Sequence, residues 1–216
     1  MNNSYPNKLA KLIGHFLQSP GILFPYIKHL PAWKKSPSDY ETPWLSFPSI
    51  YFLETYIRPW HKVFEYGGGG STFWFARRAQ YVLSVESEKT WHDHISTKLT
   101  KKGLKNSSCE FHPISGDHPN DFREDSFFRR IEGQAWDIVL VDCYCGFSAS
   151  KYGLTRPFAL ELALNNTKPG GVVVLDDSWM FKELLIPRSG WRVTNFEGPG
   201  PCRYGVTSTA VFERLH

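Results

Sequence analysis

Cysteine is scarce in this chain of 216 residues: Cys109, Cys143, Cys145 and Cys202 are all there is. No pair has CxxC spacing and no histidine pair completes a zinc pattern, which argues against a structural zinc site. All four are expected to be reduced thiols in a cytoplasmic protein. Long apolar runs are also missing. The moderately apolar segment Leu9–Leu30 is interrupted by Lys11, His15, Gln18, Pro20, Pro25 and Lys28. It cannot span a bilayer, so no transmembrane segment is expected, although a peripheral contact stays open. No basic stretch precedes a long apolar core, so no signal peptide is expected. Charge of one sign is not dominant either, with 25 Lys and Arg against 21 Asp and Glu. The densest basic cluster, Lys98, Lys101, Lys102 and Lys105, reads as a solvated helix face. No nucleic-acid partner is expected, because no recognition signature accompanies it. Repeats and low-complexity tracts are absent.

What is present is apolar and aromatic residue enough for one core: 41% hydrophobic, 16% aromatic, with 8 Trp. The texture changes near residue 45. Residues 1–45 carry Pro6, Pro20, Pro25, Pro31, Pro37 and Pro43, which break helices into short pieces. They are expected to form a helical or irregular cap, with one helix around Lys8–Gln18. Residues 46–216 alternate strand and helix patterns. Strands are expected at His61–Tyr66, Tyr81–Val85, Ser108–Ile114, Trp136–Val141 and Val172–Leu175. Helices are expected from Ser46 or Ser49 to Ile57, then at Thr72–Arg78, Trp91–Lys102, Asp121–Ile131 and Arg156–Asn166. Lys168–Gly171 reads as a turn. Trp191–Phe196 and Val206–Phe212 have no long helix between them, so they should pair antiparallel. The expected fold class is α/β, a doubly wound and mostly parallel seven-stranded sheet with an antiparallel C-terminal strand. Ligands of such sheets bind beyond the carboxyl ends of the strands.

The first strand runs into Glu65-Tyr66-Gly67-Gly68-Gly69-Gly70-Ser71-Thr72. Glycines here let a ligand approach the main chain, and the following helix offers free N–H groups that Ser71 or Thr72 can cap. A dinucleotide fingerprint fails, because its third small position falls on Thr72 or Phe73. No GK[ST] follows, so this is not a P-loop. A carboxylate at Glu65 repels a pyrophosphate but attracts a cationic sulfonium and an amino group. That favours S-adenosylmethionine. Glu86, after the second strand, is spaced to accept ribose hydroxyl hydrogens.

Val63–Thr72 followed by Val85-Glu86 resembles motifs I and II of class I S-adenosylmethionine-dependent methyltransferases, closest to a small bacterial group with an FEYGxGGST loop. The resemblance covers roughly residue 44 to the end. It implies a Rossmann-like methyltransferase fold, contacts from Glu65, Gly67 and Gly69 to the methionine part, and from Glu86 to the ribose. Ser71 and Thr72 join the cofactor-binding set. Asp117, after the third strand, stands where the family often places an adenine-contacting acid; a turn aspartate is the alternative.

Three acids follow later strands: Asp142 after the fourth, Asp176 and Asp177 after the fifth. Asp142 reads as a catalytic or positioning acid for a substrate hydroxyl. A second reading makes Asp142, Asp176 and Asp177 a magnesium site. It resembles the catechol-type O-methyltransferases, except that Asp177 stands where those carry Asn. In a third, Asp177 or Ser178 caps a short helix. His112 or His118 could also reach the site. The expected activity is methyl transfer to oxygen on a small molecule or sugar. An NAD(P)-linked oxidoreductase and a non-catalytic binder are the alternatives. A homodimer remains open.

Overall fold

The computed structural model describes residues 5–115, 119–144 and 154–216. Asp117, His118 and Cys145 lie outside them. Seven strands form one sheet: β1 (Lys62–Tyr66), β2 (Tyr81–Glu86), β3 (Ser107–Phe111), β4 (Trp136–Val141), β5 (Thr167–Leu175), β6 (Trp191–Pro199) and β7 (Val206–Arg214). Their order is β3-β2-β1-β4-β5-β7-β6. Strands β1 to β5 pair in parallel, and β7 runs antiparallel to both β5 and β6. The expected doubly wound sheet with its antiparallel C-terminal strand is thus observed.

The helices are α1 (Tyr5–Gln18), α2 (Leu23–Lys28), α3 (Pro37–Tyr40), α4 (Phe47–Tyr56), α5 (Gly70–Ala76), α6 (Lys89–Lys101), α7 (Pro119–Phe122), α8 (Ser126–Arg129) and α9 (Thr155–Asn166). Side chains alternate across a sheet, so each strand feeds two cores. One face sends Phe64, Leu83, Val139 and Val173 against Phe127, Phe128, Ala159 and Leu160. The other sends Val63, Val82, Ile138, Leu140, Val174 and Val211 against α4, α5 and the N-terminal residues Ile22 and Tyr26.

The third strand, expected to reach Ile114, ends at Phe111, and two further local expectations change. The helix expected at Asp121–Ile131 is two single turns, α7 and α8. Asp125 is extended between them (φ −73°, ψ 129°), and its carboxylate accepts from the N–H of Phe127. The turn expected at Lys168–Gly171 belongs to β5 as an irregular start. The register passes from Trp136 opposite Thr167 to Ile138 opposite Val172, and Gly170 takes a φ of +76°.

The second face changes character along its length. Moving toward the strands' carboxyl ends, Val82 gives way to Ser84, Val63 to Glu65, Leu140 to Asp142 and Val174 to Asp176. On the antiparallel β7, Val211 gives way to Thr209 and Thr207. One edge of one face therefore carries a polar seam made of Ser84, Glu65, Asp142, Asp176, Thr209 and Thr207.

Candidate functional site

The loop between β1 and α5 is fixed by contacts its glycines permit. Gly67 adopts φ +98°, and a Cβ there would lie 2.7 Å from the carbonyl oxygen of Asp142. Gly70 lies against α3 and the segment after it: a Cβ would collide with the carbonyls of Thr42 and Pro37, the latter at 2.5 Å. Gly69 differs. Its backbone is extended (φ −174°), and a Cβ would meet nothing within 4 Å. The protein itself does not require glycine there; a ligand lying on the loop would. Gly69→Ala should keep its melting temperature but lose ligand affinity. Gly70→Ala should lose stability by about 3 kcal/mol or more, through overpacking against backbone that cannot move aside. Thermal melts of the two variants check this contrast.

Below the loop sits Glu65, with no exposure to solvent. Its Oε2 accepts a short hydrogen bond from the Ser84 hydroxyl. Its Oε1 is buried and has no hydrogen-bond partner among the described residues. Burial pushes this carboxyl up to about 7, and the hydroxyls of Ser71, Ser84 and Thr72 offset only part of that. Thr72 is itself buried. Its Oγ1 accepts from the Gly69 N–H (3.0 Å) and lies 3.2 Å from the Ser84 hydroxyl, so it holds the loop in place. Buried polar atoms without partners are rare, and Oε1 is the one here that a cation or N–H donor would satisfy.

Glu86 ends β2 and is nearly buried. Its carboxylate accepts from the N–H groups of Gly68 and Ser87, both at 3.0 Å. Burial raises its pKa and these amides counter the rise. Trp91, on α6, donates its indole N–H to the Gly68 carbonyl at 2.6 Å. Beneath the loop the Cys109 thiol is pushed up to about 12 by burial and then by Glu86 and Glu65, so it stays protonated.

At the other end of the seam the structure brings Asp142, Asp176 and Asp177 together, threaded by two arginines. Arg156 donates to Asp142 Oδ1 at 2.7 Å, to the carbonyls of Cys143 and Asp176, and lies 3.7 Å from Asp177. Arg203 donates to Asp177 Oδ1 at 3.1 Å, lies 3.7 Å from Asp176 Oδ2, and covers the Trp44 ring at 5.1 Å. Asp176 also accepts from Thr209, and Asp177 from Thr207 and the Trp179 indole. Burial raises Asp142, and the neighbouring Asp177 adds to the rise against the pull of Arg156. Burial and the Asp142 charge raise Asp176. Burial would raise Asp177 too, but Arg203 and Arg156 outweigh it and hold this acid below its usual value.

This donor set does not fit the magnesium site expected at Asp142, Asp176 and Asp177. Magnesium requires octahedral oxygen ligands free to turn toward it. Here the carboxylates are compensated by two guanidinium groups and threonine hydroxyls. Among the described residues no group of three or more His, Cys, Asp or Glu side chains is arranged to hold a metal. Asp177 sits before the short helical turn at Ser178–Met180 without capping it by its side chain. His112 lies on the edge-strand side, bonded to Ser126 and Glu110. The turn after β3 is held by Asp125, which accepts from the N–H and hydroxyl of Ser115. Sequence reasoning missed Asp125, Arg203, Trp44 and the β7 threonines. Only the period-two placement of Thr207 and Thr209 on the same strand face as the apolar Val211 signalled any of them.

The sequence matches no protein-family model and no curated protein. Solved structures do match. The O-methyltransferase TomG of Streptomyces achromogenes, in complex with SAM, superposes with a TM-score of 0.60 at 19% identity, over 82% of this chain and 85% of that one. The fold is that of the methyltransferases. An O-methyltransferase from Bacillus cereus, in complex with SAH, gives a TM-score of 0.57 at 16% identity, over 83% of this chain and 82% of that one. An rRNA methylase from Streptococcus thermophilus gives 0.56 at 14%, over 78% and 95%. At such identities the likeness establishes the methyltransferase fold, and the chemistry has to be argued from the residues.

Proposed function

We propose that the protein is an S-adenosylmethionine-dependent methyltransferase acting on oxygen of a small molecule or sugar. The observation that carries this is the buried, unpartnered Glu65 Oε1 beneath a loop whose Gly69 faces open space. A carboxylate so placed is costly to ionise alone and is relieved by a positively charged ligand. That fits the sulfonium and amino groups of S-adenosylmethionine and does not fit a pyrophosphate. S-adenosylmethionine, when bound, supplies an activated methyl group to a nucleophile. Glu65, Gly67 and Gly69 hold the methionine part, with Ser71 and Thr72 keeping Glu65 and the loop in place, while Glu86 accepts from the ribose hydroxyls. Asp117 belongs to the same proposal as an adenine contact.

Asp142 orients the acceptor hydroxyl and takes its proton. Its elevated pKa makes it a better base than an ordinary exposed aspartate, and Arg156 fixes its Oδ1. Arg156 and Arg203 keep the adjoining acids compensated without a metal. The chain thus contributes position and exclusion of water, the main demands of in-line methyl transfer. Incubation with methyl-labelled S-adenosylmethionine and a panel of phenolic, sugar and amine acceptors tests the reading. Label should appear in an oxygen-methylated product. Labelled amines with no methyl ether would overturn the acceptor class. A chelator should leave turnover within about twofold of the untreated rate, since no step relies on metal-lowered acidity of a hydroxyl.

A further inference from the structure

The first 38 residues contain five lysines and no acidic residue; the rest of the chain has 20 Lys and Arg against 21 Asp and Glu. The whole positive excess therefore sits in the N-terminal cap. The lysines that form ion pairs among the described residues, Lys89, Lys98, Lys102 and Lys168, all lie elsewhere. Lys11, Lys28, Lys34 and Lys35 are exposed.

Large apolar side chains are exposed in the same segment. Helix α1 turns Leu12 and Phe16 partly inward against the core. It leaves Leu9, Ile13 and Leu17 outside, at a spacing of four that makes one stripe along a helix. Leu17 is 80% exposed. Helix α2 packs beside α1 through the rings of Tyr26 and Phe16, 5.3 Å apart. It presents Leu23, Ile27 and Phe24, the last 75% exposed. Trp33, also exposed, is tied to α2 by its indole N–H on the Ile27 carbonyl. No helix among the described residues is long and apolar enough to cross a membrane.

We propose that α1, α2 and the Trp33 turn form a docking surface for an anionic lipid bilayer. Apolar side chains flanked by lysines, with an aromatic residue nearby, are what the headgroup boundary receives: acyl-chain contact for Leu17 and Phe24, lipid phosphate for the lysines. A second copy of this chain fits less well, because a symmetric dimer through this face would oppose one lysine set to another. The anchoring of the cap leaves the surface free. His15 reaches Glu197 on β6 at 4.0 Å, and α3 and its flank are tied by Lys98 on the Ser38 carbonyl and by Arg77 and Lys102 on Glu41. The inference stands on the cap alone and does not depend on the methyl-transfer reading.

Co-flotation of the full-length protein with vesicles tests it. It should float with vesicles of phosphatidylcholine and phosphatidylglycerol, and not with phosphatidylcholine alone. High salt should reduce flotation. Lys11→Glu with Lys28→Glu should weaken partition on the order of tenfold or more. Leu17→Asp with Phe24→Asp should abolish it. Both double variants should keep the wild-type melting temperature, since all four side chains are exposed. Absence of flotation with anionic vesicles would overturn the proposal, as would flotation unchanged in both variants. A dimer by light scattering that the apolar variant converts to monomer, without vesicle binding by the wild type, would assign the face to a second copy instead.

Discussion

Glu65→Gln should weaken S-adenosylmethionine binding by about two orders of magnitude. A hydrogen bond or ion pair with a charged partner in a buried site contributes roughly 1.5–3 kcal/mol, and the amide retains shape but loses charge. The same substitution should leave the ligand-free protein equally stable or more stable at neutral pH. The reason is the sign of the shift. Burial holds the folded-state pKa near 7, above the unfolded value of 4.5. The folded state therefore retains this proton longer, and the associated stability, present at low pH, is lost as pH rises through about 7. For Glu65 alone that amounts to about 3 kcal/mol between pH 4 and pH 9. Asp142 and Asp176 are raised as well, so the informative quantity is the difference between wild type and Glu65→Gln. Denaturant melts across pH should show wild type losing more stability than the variant toward alkaline pH. Ligand binding should run the other way: a cation favours the ionised carboxyl, so affinity should climb through pH 6–7 and binding should release a proton. Parallel stability curves for the two proteins would sink this account of Glu65.

Asp142→Asn should lower kcat by about 100-fold or more, the scale of a lost general base. The substitution preserves shape and leaves Arg156 its bonds to the Cys143 and Asp176 carbonyls. Binding of S-adenosylhomocysteine should change no more than a few-fold. Some stability should be lost, because Arg156 is nearly buried and gives up a charged partner. A turnover number within a few-fold of wild type, measured with saturating acceptor, would remove Asp142 from the proton transfer and leave it a positioning role at most.

The parts of this molecule that were legible in sequence are those governed by local rules. Apolar runs such as Trp136–Val141 and Val172–Leu175 read as buried strands, and the absence of a helix between Trp191 and Val206 foretold their antiparallel pairing. The glycine loop was legible because Glu65 and Glu86 stand next to strand ends, where period and topology fix their placement. Compensation of charge was not legible. Asp142, Asp176 and Asp177 as a string of acids suggest a cation, and only the fold shows that Arg156 and Arg203 bring it. Arg203 lies 26 residues from Asp177, on a connection with no motif of its own. The break between α7 and α8 was hidden for a similar reason. The helical pattern of Asp121–Ile131 is real, but Asp125 is drawn out of it to hold Ser115 and cap Phe127. Gly70 illustrates a third kind of concealment. It looks like one more ligand-facing glycine, yet its missing side chain makes room for the carbonyls of Pro37 and Thr42.

The seam beneath Gly67–Gly70 is proposed to receive a ribose-bearing, cationic cofactor. Isothermal titration with S-adenosylmethionine, S-adenosylhomocysteine and NAD, repeated in buffers of different ionisation enthalpy, tests it most directly. Both sulfur compounds should bind saturably at one to one, with proton release for S-adenosylmethionine near pH 6.5, and NAD should give no heat. Binding of NAD without either sulfur compound would contradict that proposal.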